Sequence, residues 1–265
     1  MKRKAALVTG SAKGIGSAIA VELSRQGYDI GVNYLNDREK AENTAAAARE
    51  SGARTVCIHA DVSKTDGRKH LFDTFFGTFG TIDLLVNNAG VSRFAPFLEV
   101  TEDMWNSVFS TDFKAAFFCA QIAAKKMAEQ KKKGLIIDIS SNHADGCWPD
   151  ASVYGSAKAA LTKFGKNAAM ELAKYGIRLI TVEPGYTDVG WDKNGPIFDA
   201  CPRIPLGRFA KPEEIAKTVC FLASDSAAYM TGNCVTVDGG ALLPIVPENR
   251  LYGADGNLYG SEGLK

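Results

Sequence analysis

Seven short apolar runs recur along the chain, at Ala5 to Thr9, Asp29 to Tyr34, Thr55 to Ala60, Ile82 to Asn87, Leu135 to Ser140, Arg178 to Val182 and Cys234 to Val237. Most are continuous rather than alternating, the pattern of strands covered on both faces. Helix-like segments separate them: Gly16 to Gln26, Arg38 to Ser51, Thr65 to Phe79, Glu102 to Glu129, Val153 to Tyr175 and Pro212 to Ala223. Strand and helix in steady alternation predict an α/β protein with a parallel sheet. Right-handed crossovers then place helices on both faces, so the expected architecture is a doubly wound, seven-stranded parallel sheet. In that arrangement ligands sit beyond the carboxyl ends of the strands.

No repeat of domain size and no linker divides residues 1–243, which read as one domain. After Gly240 the composition changes: the chain becomes rich in Pro, Gly and Asn, and Leu-Tyr-Gly occurs at Leu251 to Gly253 and again at Leu258 to Gly260. Residues 244–265 are therefore expected to form a C-terminal tail, whose Ile245, Val246, Leu251 and Tyr252 need cover at a subunit boundary or a substrate entrance. Charge narrows the partners. The 31 basic and 30 acidic residues nearly cancel, and only Lys131 to Lys133 form a like-charge run, so nucleic acid is not expected as the main partner. The apolar stretch Ala5 to Val8 is far too short for a signal segment or a membrane span, and a cytoplasmic protein with no membrane partner is expected. Six scattered cysteines form no Cys-x-x-Cys pair and read as reduced and mostly buried. His59, His70 and His143 sit at no ligand spacing, so no metal site is expected and the three read as ordinary core or surface residues.

The candidate chemistry lies where strands end. The first strand runs into Thr9-Gly10-Ser11-Ala12-Lys13-Gly14-Ile15-Gly16 and directly into a helix. Such a turn lets backbone N–H groups approach a pyrophosphate at the positive helix end. Its Gly-x-x-x-Gly-x-Gly spacing is longer than the usual dinucleotide fingerprint, and no Gly-Lys-Ser/Thr closes it as a Walker loop. The fourth strand ends in Asn87-Asn88-Ala89-Gly90, where paired amides can satisfy strand ends and small residues admit a ring. The fifth ends in Ser140-Ser141, and the following helix carries Tyr154 and Lys158, four apart and so on one face. A free phenol ionises only near pH ~10, and an adjacent ammonium favours phenolate. A serine hydroxyl can bind a carbonyl oxygen on which negative charge develops.

Together these motifs make the chain resemble the short-chain dehydrogenase/reductase family from Lys4 to Gly240, including Tyr229-Met230-Thr231-Gly232 and Val237-Asp238-Gly239-Gly240; the nearest pattern is that of the 3-oxoacyl-acyl-carrier-protein reductases. The resemblance implies a single Rossmann-type domain and a reaction between a ketone and a secondary alcohol. It makes Tyr154 the proton donor, Lys158 the residue that binds the nicotinamide ribose and eases ionisation of the phenol, and Ser141 the residue that orients the carbonyl. It also gives Gly10, Ser11, Lys13, Gly14, Ile15 and Gly16 to the pyrophosphate and Asp61 with Val62 to the adenine. Asn88, Ala89 and Gly90 fall to the adenosine ribose region, and Pro184, Gly185 and Thr187 to the nicotinamide carboxamide.

Two positions depart from the family. Val189 stands where a threonine is common, four residues past Gly185, which removes one pyrophosphate contact. Asp112 stands where an asparagine bonds a backbone carbonyl and a water that links the lysine to solvent. Asp112 is thus expected in an altered relay, with the alternative that it caps a distorted turn. The second strand ends at Tyr34 without a carboxylate for a 2′-hydroxyl, and Lys13 and Arg38 offer positive charge; NADP(H) is the expected cofactor, with Asp37 as counter-evidence. A methyltransferase would want an acid at Tyr34, and a non-catalytic dinucleotide-binding redox sensor would not need Ser141, Tyr154 and Lys158 together. Cys147, Trp148, Pro149, Trp191, Ile197, Phe198, Phe94 and Phe97 suggest an apolar pocket for a hydrophobic ketone, carrier-borne 3-oxoacyl or hydroxysteroid-like. Lys131 to Lys133 and Lys174 are candidate contacts for an acidic carrier. Trp105, Phe109, Phe113 and Phe117, four apart, and the family's habit of pairing helices across a two-fold axis predict a homotetramer.

Overall fold

The computed structural model describes residues 3–190 and 204–243. The tail 244–265, with Trp191, Ile197, Phe198 and Cys201, lies outside the described residues.

The apolar runs become β1 (Lys4–Val8), β2 (Tyr28–Tyr34), β3 (Thr55–His59), β4 (Leu84–Asn87), β5 (Leu135–Ile139), β6 (Arg178–Pro184) and β7 (Cys234–Val237). All pair in parallel, in the order β3-β2-β1-β4-β5-β6-β7. This is the Rossmann-type sheet the pattern predicts, and its order reverses between β1 and β4. Successive side chains along a strand point to opposite faces, so each strand feeds two cores. Val8, Ile30, Val32, Ile137 and Ile180 pack beneath α1 (Gly14–Arg25), α2 (Arg38–Arg49) and α7 (Pro212–Ala223) through Ile19, Leu23, Ala45, Ile215 and Val219. Leu7, Leu85, Ile136 and Leu179 pack on the other face against Phe72, Phe75 and Met127 of α3 (Thr65–Phe79) and α5 (Ala115–Glu129). Each fully buried Leu, Ile or Phe contributes roughly 1.5–3 kcal/mol, which fixes the register and hence the position of every strand end.

One expected element is divided. The span Glu102 to Glu129 is not one helix: α4 (Glu102–Val108), capped by Thr101, and α5 are joined by a π-helical turn over Phe109–Lys114. The extra residue per turn rotates the Trp105, Phe109, Phe113, Phe117 stripe. Trp105 stacks on Phe109 at 4.1 Å, while Phe113 and Phe117 pack on Phe164 at 6.3 and 4.7 Å. The last long helix, α6 (Ser152–Leu172), ends in a 3-10 turn over Ala173–Tyr175. The cysteines also differ from expectation. Among the described residues all five are free, but only Cys119 is buried, and Cys147 is exposed in the loop after β5.

The closing motifs are structural. Arg178 donates to the Ala227, Met230 and Leu222 carbonyls, Thr231 Oγ1 accepts from Leu179 N, and Asp238 accepts from Gly240 N and Leu242 N. A polar pair sits inside the sheet as well: Asn87 Nδ2 donates to Asp138 Oδ1 at 2.8 Å and to Ala116 O at 3.1 Å. Burial pushes the Asp138 carboxyl up to about 7, against the lowering effects of the Asn87 bond and the Lys158 charge. Because the folded value exceeds the unfolded one, the contribution is complete below the ordinary carboxylate range and is lost as pH rises to about 7. Asp138→Asn keeps the acceptor for Asn87 without the titration. Denaturant unfolding should therefore show its stability advantage over the wild type growing from about pH 4 to about pH 7 and then levelling; an advantage independent of pH would contradict this.

Candidate active site

The carboxyl ends of β1 and β4 are stitched together. Thr9 Oγ1 accepts from the N–H groups of Asn88 and Ala89, each at 3.0 Å, and Asn88 Nδ2 donates to the carbonyls of Thr9 and Gly10, each at 3.0 Å. Gly10 lies at φ +61°, and a Cβ there would stand 2.8 Å from Ala89 Cα, so both its conformation and its neighbour demand glycine. Ser11 is spent internally: its N–H donates to Asn33 O and its hydroxyl to Val8 O. Gly10 N likewise donates to Asn33 Oδ1. Ser11 therefore fastens the loop to β2, and the groups left to meet a ligand are those of α1's first turn. Lys13, the exposed residue that precedes this helix, supplies no side-chain cap, and no acid lies in the first turn. Gly14, Ile15 and Gly16 thus begin a helix whose N–H groups lack a side-chain partner of that kind. Val189 packs beside Gly14 and offers no hydroxyl to it.

Lys158 and Asp112 form the centre of the cluster. Their side chains are 5 % and 1 % exposed, with Lys158 Nζ 3.2 Å from Asp112 Oδ2. Nζ also donates to Ile139 O at 3.2 Å and lies 5.6 Å from the Tyr154 ring centre. Asp112 Oδ1 accepts from Val91 N at 2.8 Å. The π-helical turn delivers Asp112 here, an arrangement frequent where a helix serves a site. Gly90 makes room, since a Cβ there would meet Asp112 Oδ2 at 2.7 Å and Lys158 Nζ at 3.5 Å. Asp112 thus contacts Lys158 directly, and its bond runs to a backbone N–H rather than to a carbonyl. Burial holds the Asp112 carboxyl above its usual range, with Lys158 and the Val91 N–H pulling the other way. Burial works against the Lys158 ammonium, but the charges of Asp112 and then Tyr154 outweigh it and leave its pKa raised.

Ser141 is buried at the end of β5, and Ser140 Oγ beside it ties β5 to α6 by donating to Lys158 O. The loop between them carries His143, a residue the sequence left among ordinary histidines. Its Nδ1 is 3.2 Å from Ser141 Oγ, and its ring stacks on Trp148 at 4.0 Å and meets Tyr154 edge-on at 5.2 Å. Phe94 closes on Tyr154 at 5.4 Å, and Trp148 Nε1 donates to Tyr186 OH at 2.9 Å. Position alone, two residues past Ser141, was the signal available; a search for metal-ligand spacing could not find it.

The remaining residues flank this cluster. Tyr34 ends β2 with its ring 5.3 Å from that of His59. Arg38 is exposed at the start of α2, and Asp37 caps that helix through Lys40 N at 3.0 Å while pairing with Lys40 Nζ at 2.9 Å. Lys40 first, and Lys13 as a weaker influence, hold the Asp37 carboxyl low. Asp61 accepts from Ser63 N, and Val62 is buried beside it. Pro184 ends β6, Gly185 N donates to Val237 O, and Thr187 Oγ1 donates to Gly185 O. Phe97 is exposed in the loop after β4. Lys131 to Lys133 precede β5 and Lys174 precedes β6, at the amino ends of the strands. Within one chain they lie at the opposite ends of the strands from the cluster. Among the described residues no His, Cys, Asp and Glu cluster could hold a metal, and no helix is long and apolar enough to cross a membrane.

A family model described as Enoyl-(Acyl carrier protein) reductase matches residues 10–241. The oxidoreductase YohF of Escherichia coli is 39 % identical over 241 residues, 90 % of this chain and 95 % of that protein. A 3-oxoacyl-acyl-carrier-protein reductase of Staphylococcus aureus is 38 % identical, covering 91 % of this chain and 98 % of its own length. The crystal structure of an acetoin dehydrogenase from Salmonella typhimurium superposes with a TM-score of 0.86 at 37 % identity, over 93 % of this chain and 98 % of that one.

Removing Asp112 should be costly. Asp112→Ala leaves a buried ammonium without its counter-charge and the Val91 N–H without its acceptor, and breaking such a pair costs about 3–5 kcal/mol. Denaturant unfolding should show that loss, with Asp112→Asn, which keeps an acceptor for Val91, losing less. Equal midpoints for Asp112→Ala and the wild type would contradict it.

Proposed function

Because the chain belongs to the short-chain dehydrogenase/reductase family, we propose that it is an NADP(H)-dependent oxidoreductase interconverting a hydrophobic ketone and its secondary alcohol. The observation that carries this reading is the convergence of Tyr154, Lys158 and Asp112, with Ser141 on the adjoining strand end, at the carboxyl edge of the sheet. A protein that only sensed the dinucleotide would not need Ser141, Tyr154 and Lys158 together.

The residues present fit a dinucleotide. The first turn of α1 has no side-chain cap and no acid, which suits a pyrophosphate, and Asp61 with Val62 would border the adenine end. Pro184, Gly185 and Thr187 would face the carboxamide, and Asn88, Ala89 and Gly90 the adenosine ribose region. When bound, NADPH supplies the hydride that reduces the carbonyl carbon. Tyr154 gives its phenolic proton to the carbonyl oxygen in reduction and recovers it in oxidation. Lys158 keeps a positive charge near that phenol and would bind the nicotinamide ribose. Ser141 donates to the same oxygen as charge accumulates on it. Asp112 Oδ2 faces the Lys158 ammonium at 3.2 Å, and its second lone pair would accept a hydrogen bond from a water in a proton relay to solvent.

The preference for NADP(H) rests on Tyr34 in place of an acid, on Lys13 and Arg38 nearby, and on Asp37 being engaged by Lys40. Phe94, Trp148 and His143 around Tyr154 support a hydrophobic ketone, carrier-borne 3-oxoacyl or hydroxysteroid-like. Steady-state kinetics over a panel of diketones, 3-oxoacyl esters and keto-steroids with both cofactors tests this. A higher specificity constant is expected for NADPH, and losing a charge-assisted contact in Lys13→Ala or Arg38→Ala should reduce that preference by about tenfold or more. A higher specificity constant for NADH would overturn the assignment.

The same reading makes the protein a homotetramer. Phe117, Ala124, Phe164, Ala168 and Tyr175 line an apolar groove between α5 and α6, more surface than a sheet contact uses. Light scattering should give four times the chain mass; a monomer would contradict it.

A further inference from the structure

Ser141 Oγ has one proton to give and two lone pairs to fill. The backbone N–H of His143 donates to it at 3.2 Å, His143 Nδ1 lies 3.2 Å away, and Asn142 Oδ1 lies 3.5 Å away. A neutral imidazole carries a single N–H, on one ring nitrogen or the other. With Nδ1 bare, the serine proton would rest on it, and a carbonyl oxygen would have to break that bond to receive it. With the hydrogen on Nδ1, ring and backbone N–H groups fill both lone pairs of Oγ. The serine proton then rests only on the long contact to Asn142 Oδ1, a weak bond readily surrendered.

We infer that His143 is a positioning residue for Ser141: its Nδ1–H donates to Oγ and turns the serine proton toward the oxygen of the reacting carbonyl. The inference rests on the reading of Ser141 as the carbonyl-binding serine. The ring is held for the task, stacked on Trp148 with an interplanar angle of 19° and edge-on to Tyr154, while Trp148 is itself fixed by Tyr186. Burial, and then the Lys158 charge, push the imidazole down to about 4, so it stays neutral with one N–H to place. Two donors into Oγ polarise its O–H bond and make it a stronger donor. That gain grows with the charge on the carbonyl oxygen, so it belongs to the transition state and should act on kcat more than on KM.

Three variants and one spectrum test this. His143→Phe keeps a ring for the Trp148 stack but has no donor; His143→Asn places an amide N–H near the position of Nδ1. With the ketone that the panel identifies, His143→Phe should lose about tenfold in kcat, less than a donor in direct contact with the oxyanion loses, with KM within about twofold. His143→Asn should recover most of the loss, and His143→Phe should add nothing to Ser141→Ala. Long-range ¹H–¹⁵N spectra of the unaltered protein should show the Nδ1–H tautomer of His143, whatever the folding of the variants. An Nε2–H tautomer, or unchanged kcat in His143→Phe while Ser141→Ala is impaired, overturns the inference. Unchanged turnover in Ser141→Ala instead overturns the underlying reading of Ser141.

Discussion

The site depends on two charges buried together, the Lys158 ammonium and the Asp112 carboxylate, 3.2 Å apart. Neither is tolerable alone at that depth. The desolvation of a lone ion amounts to several kcal/mol, and only the partner and the surrounding hydrogen bonds offset it. The structure supplies both: Val91 N–H for Asp112 and Ile139 O for Lys158. Those partners come from the loop after β4 and from β5, so the pair fastens α6 and the π-helical turn to the middle of the sheet. Anything that shifts those strand ends shifts the pair, and with it the Tyr154 ring.

A parallel sheet makes this possible because its carboxyl ends lie along one edge, where loops from β1, β4, β5 and β6 meet. The reversal of strand order between β1 and β4 opens the crevice, and the Thr9 and Asn88 bonds stitch its floor. Gly10 and Gly90 are small for related reasons, one beneath Ala89 and one beneath the ion pair. Packing on both faces of the sheet thus determines where a few polar atoms stand.

Much of this was legible in the sequence because continuous apolar runs mark strands buried on both faces. Cys234–Val237 and the helices Thr65–Phe79 and Pro212–Ala223 have the bounds the pattern predicts, and the other strands differ by a residue or two at their ends. The π-helical turn was not legible, since a single inserted residue leaves the aromatic spacing of Trp105 to Phe117 intact on paper while rotating it in space. The side-chain uses of Ser11 and Asp37 were hidden for another reason: in the sequence both stand near the expected phosphate-loop and ribose positions, yet their hydrogen bonds run inward or along a helix end. His143 escaped notice because histidine was weighed as a metal ligand, and its role depends on a ring stack and one serine oxygen that only the folded loop brings together.

The account turns on Asp112 holding the proton of Lys158 in place, and the pH profile of Asp112→Asn tests that most directly. Burial acts to strip the ammonium, and Asp112 is the largest influence opposing it, ahead of Tyr154 and Asp138. Removing that negative charge must lower the pH at which Lys158 loses its proton. The alkaline limb of ketone reduction should then move to lower pH in Asp112→Asn relative to the wild type. Superimposable alkaline limbs in two equally folded proteins would contradict the account.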